Sequence, residues 1–292
     1  MLGAIIGDIS GSFRENDKAE KYPELGLIPT LSQLPPIKPG SQHRLGISDD
    51  TILSCATASA LIAIDYRQAI PSMAHFADFF YEFGNKYLSI GGYGGGFKKW
   101  LNNDTKAPYN SCGNGSAMRV SPIGWFASTE EECIQLAFLN ASATHNHPEG
   151  IKGAQSTALS IFYARNNLSW NNIKLELQDQ YLSYEPIASL GRFDIICQDT
   201  MRLAWFCLDN TDNFYDALFT AVTIPHADSD TLGAIVGSIA EALYGIPDDI
   251  QKIGLSYLTK YPELNSTYEC FQFLAEKRDV LNFNKIQCSL NI

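Results

Sequence analysis

The stretch Ser48-Asp49-Asp50-Thr51-Ile52-Leu53-Ser54-Cys55-Ala56-Thr57-Ala58-Ser59-Ala60-Leu61-Ile62-Ala63-Ile64-Asp65-Tyr66 decides the fold. Ile52, Leu53, Ala56, Ala60, Leu61 and Ile64 fall close to one helical stripe, the mark of a helix packed on one face. Two carboxylates and two hydroxyls stand at its start. The pattern returns at Asp228-Ser229-Asp230-Thr231, before a second stripe of Leu232, Ile235, Val236, Ile239 and Leu243 that runs to Tyr244. Asp and Ser cap helices, and the helix dipole favours negative charge there. One carboxylate suffices for a cap, however. Four on two helix starts, if brought together, repel one another unless a cation neutralises them. Carboxylate and hydroxyl oxygens suit Mg²⁺ or Mn²⁺. The absence of His and Cys from both motifs disfavours zinc. Two such ions about 3.5–4 Å apart would orient substrate hydroxyls and a water.

Helical periodicity continues on both sides. Pro71 is expected to open a helix carrying Met73, Phe76, Ala77, Phe80 and Phe83. Pro148 is expected to open another, with Ile151, Ala154, Ala158, Ile161 and Phe162. Weaker helical patterns lie at 130–142, 199–208, 213–222, 248–258 and 267–278. Almost nothing alternates as a strand does. The fold class expected is therefore all-α, as a single domain over residues 1–292. Tyr22 to Gly46 holds five prolines and reads as a long loop. Loops of this length in a domain are often functional. The residues after Lys260 add nothing to the functional reading.

Composition narrows the classes. Of 292 residues, 45% are hydrophobic and 18% charged, a globular balance. The net charge of -11 repels a phosphate backbone, and Lys and Arg cluster only in pairs such as Lys98 with Lys99. Both features argue against nucleic acid as a partner. Seven widely spaced cysteines without a CxxC suggest neither a disulfide framework nor a zinc site, and fit a reducing cytosol. The start, Met1-Leu2-Gly3-Ala4-Ile5-Ile6-Gly7-Asp8, lacks the basic segment of a signal peptide. No apolar run reaches the length of a membrane span. A soluble, cytoplasmic protein is expected.

Two glycine-rich segments follow the first acidic motif. Gly91-Gly92-Tyr93-Gly94-Gly95-Gly96-Phe97 is one, and Gly113-Asn114-Gly115-Ser116-Ala117-Met118-Arg119 is the other. Such loops expose backbone N–H groups that cradle phosphate, though glycine clusters also make tight turns and close crossings. Thr144-His145-Asn146-His147-Pro148-Glu149-Gly150 reads as a turn before the Pro148 helix. Its histidines are given a non-metal role, because the acidic motifs offer the better cation site. His75, on a helix, is read as structural.

Taken in order, these motifs and Gly7-Asp8-Ile9-Ser10-Gly11-Ser12-Phe13-Arg14-Glu15 resemble the ADP-ribosylglycohydrolase family, in a compact bacterial form. The resemblance spans roughly residues 2 to 258. It implies an all-α fold around a central cleft with two Mg²⁺ or Mn²⁺ ions. By position, it implies Ser48, Asp49, Asp50, Asp228, Asp230 and Thr231 as metal ligands. It implies Glu15 or Asp50 as the catalytic carboxylate. It places Gly113, Asn114, Gly115, Ser116 and Met118 at a diphosphate, with Ser111 beside them. Gly94 and Gly95 would border the distal ribose, and His145 would meet a ribose or phosphate oxygen.

The activity implied is hydrolysis of the glycosidic bond between ADP-ribose and an acceptor, with arginine on an ADP-ribosylated protein foremost. Alternatives are another ADP-ribosyl linkage (Ser-linked, small-molecule or a nucleic-acid end) and a non-catalytic module that binds ADP-ribose or a partner protein. Two departures stand out. His226-Ala227 occupies the place of two glycines, and Cys112 the place of an aromatic residue. If that aromatic stacks on adenine, Tyr109 or Tyr93 must replace it, or nucleotide affinity falls.

Overall fold

The first acidic stripe forms α2, Asp49–Arg67, and the second forms a helix over Ser229–Tyr244. The computed structural model describes residues 1–14, 26–33, 46–67, 69–178 and 195–290. Across them run α1 (Leu2–Ser12), α2, α3 (Met73–Lys86), α4 (Gly95–Leu101), α5 (Gly115–Met118), α6 (Ser121–Phe126) and α7 (Glu130–Ser142). Then come α8 (Pro148–Arg165), α9 (Trp170–Leu177), α10 (Cys197–Asp209), α11 (Phe214–Val222), α12 (Ser229–Tyr244), α13 (Asp248–Leu258) and α14 (Pro262–Leu290). Among the described residues there is no strand, only an isolated bridge between Gly113 and Ile196. The all-α expectation holds.

Local signals place most boundaries. Pro148 is the first residue of α8, and His147 Nδ1 accepts from the Glu149 amide as its cap. Pro71 does not open α3. It precedes the cap, Ser72, whose hydroxyl accepts from the His75 amide. The imidazole of His75 bonds the Ala60 carbonyl at 3.0 Å, the structural role expected of it. The glycine run is not all loop: Gly94 caps α4 and Gly95 opens it. The tail past Lys260 is a long helix that buries Leu264, Tyr268, Phe271 and Leu274 and packs on α2. Of the 22–46 segment, Leu27 and Ile28 are buried and Leu31–Gln33 forms a 3-10 turn, while 22–25 and 34–45 lie outside the described residues.

The opening segment is the centre of the molecule. All eleven residues of α1 are buried. A helix with no exposed face belongs inside a core. Its main neighbour is α12, and the two are joined along a seam without side chains. A Cβ on Gly7 would stand 1.9 Å from the Gly233 carbonyl oxygen, and one on Gly3 would stand 2.1 Å from that of Gly237. Gly11 meets Ser229 in the same way. The pairing of 3 with 237, 7 with 233 and 11 with 229 makes the helices antiparallel. It also brings the end of α1 to the start of α12. Cys55, Cys133, Cys197 and Cys207 are buried free thiols. Among the described residues, no helix is long and apolar enough to cross a membrane.

Candidate functional site

The glycine seam sets one carboxylate of α1 between the two acidic helix starts. Carboxylate oxygens of Asp8, Asp50 and Asp230 all lie within 4.8 Å of one another. Asp8 Oδ2 accepts from the Ser48 amide at 2.8 Å, the Thr51 amide at 3.1 Å and the Thr51 hydroxyl at 2.5 Å. Its Oδ1 accepts from the Ser12 hydroxyl at 3.2 Å. Asp8 thus caps α2 from another helix, satisfying amides that a helix start leaves open. Ser48 completes the turn: its hydroxyl accepts from the Asp50 amide and donates to Asp50 Oδ2 at 3.0 Å.

Asp50 Oδ1 is buried with no hydrogen-bond partner. Burial pushes the Asp50 carboxyl well above the usual range, and Asp8, Asp49 and Asp228 push it further. Only the Ser48 hydroxyl opposes them. Burial likewise raises Asp8, against the hydrogen bonds from Ser48 and Thr51. A buried acceptor left open costs about 1–3 kcal/mol. A hard cation would supply the missing partner and cancel the repulsion. The oxygen donors present fit such an ion.

Asp50 and Asp230 border a cavity of about 400 Å³. Its lining joins the acidic starts (Asp49, Asp50, Asp228, Asp230, Thr231) to the glycine run (Gly92, Gly94, Gly95, Gly96) and to the second loop (Gly113, Asn114, Gly115, Met118). Ser111, Tyr109, Arg119 and His145 also line it. Asn114 ties loop to acid, donating to Asp228 Oδ2 at 2.7 Å and to the Thr200 hydroxyl at 3.2 Å. Ser48 is buried and does not line the cavity. Ser116 does not line the cavity: it is buried and donates to the Gly150 carbonyl at 2.7 Å, fastening the loop to α8. Glu15 lies outside the described residues, as does His43.

The structure separates the two tyrosines. Tyr93 is 1% exposed, packed on Phe97 with ring centroids 5.0 Å apart, so it is a core residue. Tyr109 lines the cavity, its ring 5.9 Å from that of His145. His226 is exposed with φ of +58°, in the left-handed region that glycine occupies without strain. Sequence reading missed Asp8, Arg119 and Thr144. The signal for Asp8 was a lone carboxylate in the apolar run Ile5-Ile6-Gly7-Asp8-Ile9.

Comparison with known proteins agrees with this geometry. The family model described as ADP-ribosylglycohydrolase matches residues 1–278. The ADP-ribosyl-[dinitrogen reductase] glycohydrolase of Rhodospirillum rubrum is 28% identical over 278 residues, covering 88% of each chain. Human ADP-ribosylhydrolase ARH3 is 31% identical over 181 residues, 56% of this chain and 48% of its own. The ADP-ribosylarginine hydrolase Tri1 of Pseudomonas putida is 26% identical, over 50% of this chain and 43% of its own. Against ARH3 and Tri1, the match thus spans about half the relative's length. A solved structure, an ADP-ribosylglycohydrolase-related protein complex, superposes with a TM-score of 0.65 at 19% identity, over 94% of this chain and 97% of that one. The chain belongs to the ADP-ribosylglycohydrolase family.

Proposed function

We propose that this protein is a metal-dependent hydrolase that releases ADP-ribose from ADP-ribosylated arginine on protein. The observation that carries the proposal is Asp50: a buried carboxylate with an open oxygen, among other carboxylates, at the border of a glycine-lined cleft. Ser48, Asp49, Asp50, Asp228, Asp230 and Thr231 would hold two Mg²⁺ or Mn²⁺ ions, with Asp8 fixing the first turn from behind. When bound, the ions polarise the ligand's hydroxyls and a water.

The chain's own residues do the rest. Within the Gly113–Met118 loop, with Ser111 beside it, Gly115 and Ser116 would turn backbone N–H groups to a diphosphate, since the Gly113 amide donates to Ser111, that of Asn114 to the Ile195 carbonyl, and those of Ala117 and Met118 to the Asn114 carbonyl. Gly94 and Gly95, which a Cβ would not crowd, leave room for the distal ribose. Tyr109 supplies an aromatic face for adenine. Carboxylates nearby stabilise the positive charge that builds at the anomeric carbon as the glycosidic bond breaks. Glu15 or Asp50 takes the proton from the attacking water. We read the chain as one domain acting in the cytoplasm, with ADP-ribosylated protein and not nucleic acid as its partner.

The test is ADP-ribose release from a panel of linkages: arginine-linked protein, serine-linked protein and a nucleic-acid end. Arginine-linked substrate turning over fastest supports the proposal. Turnover confined to another linkage overturns the choice of acceptor. ADP-ribose binding with no linkage cleaved overturns catalysis.

A further inference from the structure

Behind His145 lies a chain of buried polar groups that the function above does not use. Arg119 is 0% exposed and rests on Phe80, its guanidinium carbon 4.0 Å from the ring centroid. Its Nε donates to Asn140 Oδ1 at 3.2 Å, and its Nη2 to the Asn140 carbonyl at 2.9 Å. Nη2 also donates to the Thr144 hydroxyl at 2.9 Å. The Thr144 hydroxyl in turn lies 2.7 Å from His145 Nδ1. Asn140 is anchored by donating to the Thr57 hydroxyl at 2.9 Å. At the far end, His145 Nε2 faces the glycine loop: a Cβ on Gly115 would stand 3.1 Å from it, and one on Gly113 would stand 3.5 Å away.

The direction of this chain follows from what each group can do. A guanidinium only donates. Thr144 Oγ1 therefore accepts from Arg119, and its single proton remains to be placed. If it goes to His145 Nδ1, the Thr144 hydroxyl is satisfied both as acceptor and as donor. If instead Nδ1 carried a proton and donated to Thr144, the hydroxyl proton would be stranded in a fully buried site, at a cost of about 1–3 kcal/mol. Burial, and then the charge of Arg119, also keep the ring neutral. A neutral ring whose Nδ1 accepts carries its proton on Nε2.

We propose that Arg119 and Thr144 are positioning residues that lock His145 as an Nε2–H donor aimed past Gly113 and Gly115 at an acceptor oxygen of the ligand diphosphate. The identity of that ligand rests on the function proposed above. The relay itself does not. A fixed donor favours oxygens that bear no proton. It also keeps the ring from turning its lone pair toward the cleft, where it would repel a phosphate.

The experiment has two arms on the full chain. Long-range ¹H–¹⁵N correlation of histidine-labelled protein reads the tautomer, with the His145 signals identified by their loss in His145→Gln. The wild type should show Nε2–H. Thr144→Val, nearly isosteric, should lose the single tautomer, and Thr144→Ser should restore it. Calorimetric titration with ADP-ribose should show binding weaker by on the order of tenfold in Thr144→Val, and wild-type affinity in Thr144→Ser. An Nδ1–H tautomer in the wild type overturns the relay. Unchanged ADP-ribose affinity in a folded Thr144→Val overturns its role in binding. An Nε2–H tautomer in a wild type that binds no ADP-ribose overturns the reading of the cleft while the relay stands.

Discussion

Asp8 accepts the Thr51 hydroxyl at 2.5 Å across the junction of α1 and α2, while the same oxygen holds the amides of Thr51 and Ser48. One carboxylate thus shapes the turn from which Ser48, Asp49 and Asp50 project. Asp8→Ala leaves two amides and a hydroxyl buried without their acceptor. It should cost about 3 kcal/mol in urea unfolding, while Thr51→Val, which removes one bond, should cost about 1 kcal/mol. Equal and small effects would mean that Asp8 does not organise the turn.

The seam between α1 and α12 should tolerate no added methyl. Gly7→Ala drives a Cβ against the Gly233 carbonyl, and backbone on both sides must move. A loss of about 1–3 kcal/mol is expected. Gly94→Ala is the control: open space surrounds its Cβ and φ is -59°, so stability should change by less than about 0.5 kcal/mol. Thermal unfolding of the two variants checks the contrast.

The central helix was the least legible part of the sequence, for a physical reason. A helix buried on every side has no polar face, so α1 carries no amphipathic stripe to detect. The same silence hid Asp8, whose partners lie forty residues on. By contrast, α2, α8 and α12 announce themselves at their starts, through acidic first turns or Pro148. The acidic motifs pointed to each other chemically, but their meeting depends on Gly3, Gly7 and Gly11, and spacing along the chain says nothing of that. Tyr93 and Tyr109 looked equivalent in sequence. Packing against Phe97 removes the first from the cleft and leaves the second.

The acidic cluster should trade stability for its site. In metal-free protein the raised Asp50 pKa means that its contribution is present below about pH 4 and is lost as pH rises through the folded value. Asp50→Asn, measured in EDTA, should therefore be more stable than wild type at pH 8 and comparable to it near pH 4. Adding Mg²⁺ or Mn²⁺ at about a hundred times the dissociation constant should stabilise wild type by about 2.7 kcal/mol, and the variant by far less. Calorimetric melting curves give both numbers. A wild type indifferent to metal would contradict the reading of the cluster.

His145 should give the opposite pH signature. Its folded pKa is depressed by burial and by Arg119, so its stability contribution is present above the unfolded value near 6.5 and falls as pH drops below it. Each pH unit of acidification in that range should remove up to about 1.4 kcal/mol. His145→Gln should show a shallower loss between pH 6.5 and 5. Parallel curves in denaturant titrations would show that the ring charges freely in the folded state.

The decisive measurement is ADP-ribose release from an arginine-ADP-ribosylated protein by wild type and Asp230→Ala, each with EDTA, Mg²⁺ or Mn²⁺. Wild type should release ADP-ribose only with added metal, and Asp230→Ala should release none under any condition. Release in EDTA, or undiminished release by Asp230→Ala, would contradict a metal-dependent hydrolase built on the two acidic helix starts.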